Sequence, residues 1–411
     1  MQSMDLPKKE VSNYIPNDIS FDILSKLPMK SLKRFSCVCK FWSNLFEEPQ
    51  FMDIYRTSLF VSNYDDHHNS CFLFKKTPEL GENQNEDNIV LLSGETFENK
   101  VKLDWPPPFE VYRGRIYIIG SIVNGMLCLC RGNGRGDHIC INQEVILWNP
   151  FIEDFKVIPS GSFKHTILKA FPPDTIFEDL SKITTFVNIY GFGYDPIADD
   201  YKLIRNFCFI DNKKYELDPN DCIHDETLWQ IYSLKSNSWR DIQVKMPNHI
   251  LNSGWEQNGN AIYFQGMCHW WGYKDYYGEH VLVSFNLRNE VFITTHSNPN
   301  YHRLGKHMLV LKDSIAMIEY DESYNLFISV LGEIGVAESW TRLFRIGPLR
   351  CSINPIGVGI NGDIFLNRYG KIEKFNLNTN LIEEIGVTGR IKKCQMVICN
   401  NSIFPIGGIH G

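Results

Sequence analysis

The sequence predicts a small α-helical unit followed by an all-β propeller of about six four-stranded blades, with seven blades as the alternative. Three observations support this fold class. Apolar residues recur at helical spacing over residues 15–46. From residue 59 onward, short apolar runs alternate with Asn, Asp, Gly and Pro, and no amphipathic helix is convincing. A hairpin pattern then repeats along the remaining chain.

The entry to the helical unit is marked by turn and cap residues. Pro16 suits the start of a first helix, Asn17 can act as its N-cap, and Pro28 prevents its continuation. The sequence is thus divided into a flexible leader, a helical unit and a propeller, which are expected to span residues 1–14, 15–57 and 58–411.

The helical unit has an unusually wide apolar arc. At about 100° per residue, Ile19, Ile23 and Leu27 cluster on one side of the first helix, with Leu24 beside them. Such an arc is wider than the stripe that faces one small core. A second apolar row follows, formed by Leu32, Phe35, Val38, Trp42 and Leu45. Because a core of about 40 residues is marginal by itself, we expect a permanent protein partner docked through the helix faces and a buried Trp.

In the β region, a bulky residue, a polar turn and a second bulky residue seven positions later recur. The pairs are Trp148 with Phe155, Tyr194 with Tyr201, Tyr232 with Trp239, Phe285 with Phe292, Tyr320 with Phe327, and Phe375 with Ile382. The Pro, Gly and Asn residues between them exclude a helical heptad for most of these units. Each unit is therefore interpreted as a β-hairpin that places two large side chains in one layer.

Hairpins grouped in this way are typical of four-stranded propeller blades. The predicted blades lie around residues 115–158, 187–244, 259–295, 306–347 and 353–387. A last blade is expected to combine the C-terminal strand 395–399 with strands from residues 59–93. Sharing a blade between the two ends closes the ring and removes exposed strand edges.

Composition restricts the compartment and the partners. The formal net charge of −7 and a pI of about 6.0 give no electrostatic footprint for nucleic acid. No apolar run approaches the roughly 18 residues that span a bilayer, and the N-terminus lacks the apolar core of a signal peptide. The 12 cysteines are scattered, which favours reduced thiols over disulfides. We expect a protein of the cytosol or nucleus, without membrane or nucleic-acid partners.

The helical unit also matches a known motif in order and spacing. The matching segments are Ile15-Pro16, Ile23-Leu24, Leu27-Pro28-Met29-Lys30-Ser31-Leu32, Arg34-Phe35, Cys37-Val38-Cys39-Lys40 and Trp42. They resemble the F-box, the docking motif for the Skp-type adaptor of cullin–RING ubiquitin ligases; Phe41 departs from it, because polar residues are commoner there. The alternative is an ordinary helical hairpin that caps the following domain. The resemblance implies these adaptor-binding residues: Ile15, Pro16, Ile19, Ile23, Leu24, Leu27, Pro28, Leu32, Val38, Lys40 and Trp42.

The β region carries a second set of motifs in a characteristic order. They begin at Asn124, Leu147, Gly191, Asp200, Ile231, Ser238, Asn260, His269, Ser284 and Glu338. Together they resemble the type 1 F-box-associated domain of plant F-box proteins, within the S-locus F-box-like and F-box/kelch-like group. The resemblance implies that the propeller is the substrate-binding domain.

Cysteine and histidine offer one candidate metal site, formed by Cys128, Cys130, His138 and Cys140. Strand alternation puts Cys128 and Cys130 on one face, a spacing that zinc sites use less often than Cys-x-x-Cys. Core-facing thiols are the favoured interpretation. The chain has no Gly-x-Ser-x-Gly elbow, and its carboxylates show no distinctive pairing. We expect no metal, no cofactor and no catalytic residue.

Aromatic residues are concentrated near one predicted loop. Trp271, Tyr273, Tyr276 and Tyr277 lie in or beside a polar, glycine-containing segment. Loops at a propeller rim hold ligands, and Tyr is favoured in binding hot spots. These four residues are therefore the candidate substrate contacts, with plain loop packing as the alternative. The polar insertion 211–226 is a similar candidate.

The two resemblances imply a non-catalytic substrate receptor of an SCF-type (Skp–cullin–F-box) ubiquitin ligase. The adaptor would link the chain to the cullin and RING subunits, and the propeller would hold a protein target for ubiquitination and proteasomal degradation. The chain would contribute proximity, which raises the effective concentration of target lysines. One alternative is a carbohydrate- or glycoprotein-binding F-box receptor, as the aromatic loop suggests. A propeller enzyme is the other alternative, and it would need a polar or metal-bearing central pocket.

Overall fold

The structure, a computed structural model, divides the chain into two compact units, Met1–His67 and His68–Gly411. The residues that it describes are 16–25, 35, 37–48, 50–51, 71–76, 88–94, 97–110, 115–132, 144–161, 183–211, 228–242, 261–273, 280–297, 304–311, 314–349, 354–359, 363–377, 379, 381–389 and 394–399.

The described α-helices are short. In the first unit, α1 spans Asn17–Leu24 and α2 spans Lys40–Glu47. A single helical turn in the second unit, α3, spans Pro107–Glu110. None of the described helices is long and apolar enough to cross a membrane.

The start of α1 differs from the prediction by one residue. Pro16 occupies the N-cap position, and its carbonyl oxygen accepts a hydrogen bond from the Ser20 N–H at 2.9 Å. Asn17 is therefore the first helical residue, and the prediction that it caps the helix was wrong. The extended backbone of Pro16, with φ −54° and ψ 146°, explains the difference, because proline pre-sets the entry without a side-chain cap.

The second unit is built from six four-stranded antiparallel sheets, which confirms the predicted propeller. Blade 1 contains β1 (Cys71–Lys76), β2 (Asn88–Ser93), β3 (Asn99–Leu103) and the last strand, β24 (Gln395–Cys399). Blade 2 contains β4 (Arg115–Val123), β5 (Met126–Gly132), β6 (Glu144–Asn149) and β7 (Asp154–Ile158). Blade 3 contains β8 (Ile183–Asp195), β9 (Asp200–Asp211), β10 (Leu228–Ser233) and β11 (Ser238–Asp241).

The remaining three blades follow in sequence order. Blade 4 contains β12 (Ile262–Phe264), β13 (Met267–Tyr273), β14 (His280–Asn286) and β15 (Phe292–His296). Blade 5 contains β16 (Leu304–Leu311), β17 (Ser314–Tyr320), β18 (Leu326–Leu331) and β19 (Trp340–Ile346), with a 3-10 turn at Ala337–Ser339. Blade 6 contains β20 (Asn354–Val358), β21 (Ile364–Arg368), β22 (Lys371–Asn376) and β23 (Leu381–Thr388).

The ring closes through blade 1, as the sequence predicted. Strand β24 pairs with β1, and Leu73 lies opposite Val397. The first part of the predicted segment 59–93, residues 59–70, lies outside the described residues, whereas β3 lies beyond the predicted limit of residue 93. Gln395 then joins blade 1 to blade 2, because its side-chain amide donates to the Ile118 carbonyl at 2.8 Å and accepts from the Ile118 N–H at 3.0 Å.

The core lies between neighbouring blades. Six clusters of buried apolar side chains are found among the described residues, and each contains residues from two adjacent blades. Trp270 of blade 4, for example, is fully buried against Tyr190 and Trp229 of blade 3. Each blade thereby covers both of its apolar faces with another blade, which a closed ring permits and an open stack does not.

Five of the six predicted hairpins have the expected register, with the two bulky residues directly opposite each other. Turn chemistry explains the recurring interval. In each of the five, a side-chain oxygen at the end of the first strand accepts a backbone hydrogen bond from the turn, as Asn149 Oδ1 does from the Phe151 N–H at 3.0 Å. The residue that ends the turn is left-handed in the four cases described, as at Glu153 with φ 56°.

The sixth predicted pair was wrong by one residue. Tyr320 lies opposite Leu326, whereas Phe327 lies opposite Glu319. Asp321 is the reason, because its carboxylate accepts from the Ser323 and Asn325 N–H groups at 3.0 and 2.9 Å. This turn returns the chain one residue earlier than the others, so that Tyr320 and Phe327 point to opposite faces of the sheet.

The antiparallel order gives the propeller two different faces. Counted along each sheet, the turns that join the first strand to the second and the third strand to the fourth lie at one face, which we call the short-turn face. The longest connection at this face is 332–339. All other connections lie at the opposite face, which we call the long-connection face. Its longest connections are 77–87, 104–114, 133–143, 159–182, 212–227 and 242–261.

Candidate functional site

Helix α1 divides its apolar residues between two sides. Leu24 is 1% exposed, and Phe21 packs edge-on against the buried Phe51 with ring centroids 5.0 Å apart. Ile19 and Ile23 lie one helical turn apart on another side, where they are 48% and 50% exposed. The helix therefore covers its own core with one side and presents a pair of isoleucines to solvent.

A second exposed apolar group surrounds the start of α2. Val38 is 63% exposed in the turn before the helix, and its N–H donates to the Phe35 carbonyl at 2.9 Å. Phe41, in the first turn of the helix, is 42% exposed, whereas Leu45 is buried one turn later. The Trp42 ring lies 5.6 Å from the Phe35 ring and is half-buried.

The structure places most of the described adaptor-binding candidates at the surface of the first unit. The exposed ones are Pro16, Ile19, Ile23, Val38 and Lys40, and Trp42 is half-buried. Ile15, Leu27, Pro28 and Leu32 lie outside the described residues.

Two residues of α1 and α2 differ from the expectation. Leu24 was expected at the adaptor surface, but it faces the interior because Phe21 and Phe51 pack on its side of α1. Phe41 was left out of the expected surface, although it is exposed. The sequence could have indicated this exposure, because Phe41 occupies a position where polar residues are commoner in the F-box. The roles of these residues in adaptor binding remain predictions.

Of the four candidate substrate contacts, only Trp271 has a described side chain. It is 4% exposed and belongs to the cluster between blades 4 and 5, where it stacks on Trp340 at 6.4 Å between ring centroids. Tyr273 is the last residue of β13, and Tyr276 and Tyr277 lie outside the described residues. In this structure Trp271 packs between blades, and a contact with substrate remains a prediction for all four residues.

A buried polar cluster lies beside Trp271. The Lys306 ammonium donates to Ser297 Oγ at 2.7 Å, lies 3.5 Å from the Glu319 carboxylate, and sits 5.6 Å from the centre of the Trp271 ring. Burial, with a further contribution from the Lys306 charge, lowers the pKa of His280 to about 4. His280 is therefore neutral at physiological pH, and the cluster links blades 4 and 5 through a paired lysine.

The candidate metal site is not assembled in the described part of the chain. Cys128 and Cys130 are fully buried in the cluster between blades 2 and 3, and burial raises the pKa of Cys130 to about 12. His138 and Cys140 lie outside the described residues. Within those described, no three His, Cys, Asp or Glu side chains are grouped as a metal site requires. The two described thiols therefore act as small core residues.

Comparison with known proteins identifies both units. A family model described as the F-box domain matches residues 14–53, and one described as the F-box associated beta propeller domain matches residues 115–403. The putative F-box protein At3g16210 of Arabidopsis thaliana is 25% identical over 285 residues, which cover 67% of this chain and 59% of that protein. This chain thus spans about six-tenths of the length of that relative.

A second relative from the same plant agrees with this result. The F-box/kelch-repeat protein At3g23880 of Arabidopsis thaliana is 23% identical over 349 residues, covering 84% of this chain and 82% of that protein. Among solved structures, TolB from Acinetobacter baumannii covers 85% of this chain and 73% of its own, with a TM-score of 0.44 and 8% identity. Because the propeller model matches more than half of the residues, the chain belongs to the plant F-box proteins that carry an F-box-associated β-propeller domain.

Proposed function

We propose that this chain is the substrate-receptor subunit of an SCF-type ubiquitin ligase and has no catalytic group of its own. The F-box identity implies an adaptor role in such ligases. The observation that supports it most directly is that α1 and the start of α2 each expose two large apolar side chains, Ile19 with Ile23 and Val38 with Phe41. If the two pairs form one continuous patch, such a patch is typical of a protein-binding surface.

The adaptor would bind this surface by burying those side chains. Full burial of an isoleucine or valine contributes about 1.5–3 kcal/mol, so each of these partly exposed side chains can add about half of that amount. Lys40 follows Val38 closely and would lie at the polar rim, where charges affect the rate of association more than affinity. Leu27, Pro28 and Trp42 remain predicted contacts of the same interface.

The propeller would bind a protein target at its long-connection face. The polar insertion 211–226 and the segment that carries Tyr276 and Tyr277 each join the second strand of a blade to the third, and the described ends of those strands lie at this face. Binding residues are disproportionately found on long loops held by a rigid scaffold. The target would then be held near the ubiquitin-charged enzyme, and the gain would come from effective concentration. The cytosol or nucleus remains the expected compartment.

The adaptor interaction can be tested with a double substitution, Ile23→Asp with Val38→Asp. Both residues are at least half exposed, so the change should leave the fold intact. We expect the dissociation constant for a Skp-type adaptor, measured by calorimetry on the full chain, to rise at least about 100-fold. The matched control is Ile197→Asp, because Ile197 is 68% exposed in a propeller turn. Unchanged affinity in the double variant would refute the proposed interface.

The target-binding face can be tested separately. Tyr276→Ala with Tyr277→Ala should reduce ubiquitination of a bound target while adaptor affinity stays unchanged. The measurement is proximity labelling and ubiquitin-remnant mass spectrometry under proteasome inhibition, with the Ile23→Asp, Val38→Asp variant as reference. A protein that is labelled by the reference variant but ubiquitinated only by the intact chain qualifies as a target. If the tyrosine variant labels and ubiquitinates such targets as well as the intact chain, this loop is not the contact.

A further inference from the structure

Two cysteines face each other at the strand pairing that closes the ring. Cys71 begins β1, Cys399 ends β24, and the two residues are directly opposite in register although 328 positions separate them. The Cys71 thiol donates to the Cys399 carbonyl oxygen at 3.2 Å. Neither cysteine is in a disulfide.

Their placement suits a disulfide bond. Directly opposite residues of antiparallel strands have Cα atoms about 4.5 or 5.5 Å apart, and disulfides join Cα atoms about 4.4–6.8 Å apart. Opposite Cβ atoms lie about 4.5–5.5 Å apart, whereas a disulfide needs about 3.5–4.5 Å. The bond can therefore form with small side-chain rotations and a slight approach of two strand ends.

The fully buried strand thiols in the described part of the chain, Cys128, Cys130 and Cys268, have no cysteine directly opposite them on a neighbouring strand. Cys128 lies opposite Ile119 and Leu147, and Cys268 lies opposite Tyr263 and Phe285. Both are fully buried near the middle of the core. Cys71 is 9% exposed and lies at a strand end, where local opening needs the least free energy.

The two thiols also differ in reactivity. A side-chain hydrogen bond with Cys399 holds the pKa of Cys71 below its ordinary value, against the opposing effect of burial. Burial raises the pKa of Cys399 well above its ordinary value. Because the thiolate is the nucleophile, Cys71 is the thiol that reacts first with an oxidant.

We propose that Cys71 and Cys399 form a thiol-oxidation site, at which a peroxide converts the pair into a disulfide that closes the propeller ring covalently. The Cys71 thiolate attacks hydrogen peroxide, which breaks the O–O bond and leaves a sulfenic acid on Cys71 and hydroxide. The Cys399 sulfur then attacks the Cys71 sulfur, the S–S bond forms, and the sulfenic oxygen leaves as water. In balance, two thiols and one hydrogen peroxide give one disulfide and two waters.

The bond would act at the pairing of the first and last described strands of the second unit. Strand β24 reaches its sheet only through β1. A covalent link at this seam constrains nearly the whole second unit in the unfolded state, and the stabilisation grows with the length of the loop it closes. The inference rests on the propeller seam alone and does not depend on the adaptor or the target.

The test is treatment of the full chain with hydrogen peroxide, followed by non-reducing peptide mapping and thermal unfolding. We expect a Cys71–Cys399 linked peptide and a rise in Tm of about 5 °C that dithiothreitol reverses. Cys71→Ser and Cys399→Ser should each abolish the linked peptide and the shift. Cys130→Ser is the matched control and should keep both.

Two outcomes would overturn the proposal. One is oxidation of Cys71 to sulfinic or sulfonic acid without a link to Cys399. The other is that both thiols of the folded chain stay unmodified at a peroxide concentration that oxidises them in the urea-unfolded chain. The peptide map of the wild-type chain distinguishes these outcomes even if a serine variant does not fold.

Discussion

The two units differ in how far they bury their large apolar side chains. In the propeller, Trp270 and Phe285 are fully buried, and the exposed Ile197 and Leu381 lie singly on different blades. In the first unit, Ile19 and Ile23 share one side of a helix and are about half exposed. A closed ring gives every blade two neighbours, whereas a short helix is covered on one side only. Large side chains such as Trp270 are therefore covered inside the propeller, whereas the two isoleucines of α1 stay about half exposed.

The largest effect should come from removing a side chain that fills the contact between two blades. Trp270 packs against Tyr190, Trp229 and Phe292, with ring centroids 5.1, 5.7 and 6.2 Å away. Trp270→Ala should lower the free energy of unfolding by about 3–5 kcal/mol, because it loses buried apolar area and leaves a cavity. The measurement is urea denaturation of the full chain followed by intrinsic fluorescence.

A matched control for that change is Ile197→Ala, at an exposed apolar residue of the same ring. Its effect should stay within about 0.5 kcal/mol. If Trp270→Ala cost less than about 1 kcal/mol, the contact between blades 3 and 4 would not hold the ring together, and the contrast between the two units would fail.

The second-largest effect is a pH dependence of the stability of the propeller, caused by a buried histidine. His269 is fully buried in blade 4, where the Ser284 hydroxyl lies 2.8 Å from Nδ1 and the Phe264 carbonyl lies 3.3 Å from Nε2. A carbonyl only accepts, so Nε2 carries the proton and Nδ1 accepts from the hydroxyl. Burial lowers the pKa of His269 to about 4, against a smaller opposing effect of the Phe264 hydrogen bond. The folded propeller thus holds this imidazole neutral.

The direction of the pH dependence follows from that lowered pKa. The unfolded chain binds a proton near pH 6.5, whereas the folded one binds it near pH 4. Stability is therefore fully present above pH 6.5 and declines between pH 6.5 and about 4, by about 3 kcal/mol for this residue. His280 adds a loss in the same direction. His269→Gln should flatten the decline measured by urea denaturation at pH 7 and pH 4.5, and an unchanged slope would contradict this assignment.

The fold could be predicted because its register is set locally. A polar side chain that accepts from the turn backbone fixes the interval between Trp148 and Phe155, and the same chemistry recurs in other blades. The predicted seven-residue interval was wrong at Tyr320 and Phe327. There the Asp321 carboxylate accepts hydrogen bonds from the Ser323 and Asn325 N–H groups. The sequence shows an acidic residue at the start of this turn. The length of the turn, however, depends on which backbone N–H groups the carboxylate binds.

Contacts between blades could not be predicted in this way. From the sequence, Lys202 would be expected to be a solvated surface charge, but it is buried. Its ammonium lies 2.8 Å from the Asp195 carboxylate and 2.8 Å from the Leu287 carbonyl of the next blade. Its second partner is supplied by another blade, so no local pattern reveals it. On α1, the wide apolar arc predicted exposure but not which side is exposed. Phe51, far along the chain, decides that Leu24 faces inward.

The smallest expected effect on stability comes from the helical surface itself. Ile19→Ser with Ile23→Ser removes two half-exposed side chains that the first unit does not bury. Because little apolar area is lost from the folded chain, the free energy of unfolding should change by less than about 0.5 kcal/mol. The matched variant is Leu24→Ser on the same helix, which places a hydroxyl at a 1% exposed site and should cost several-fold more. If both variants destabilised the chain equally, the isoleucines would already be covered within the first unit, and no partner would be needed there.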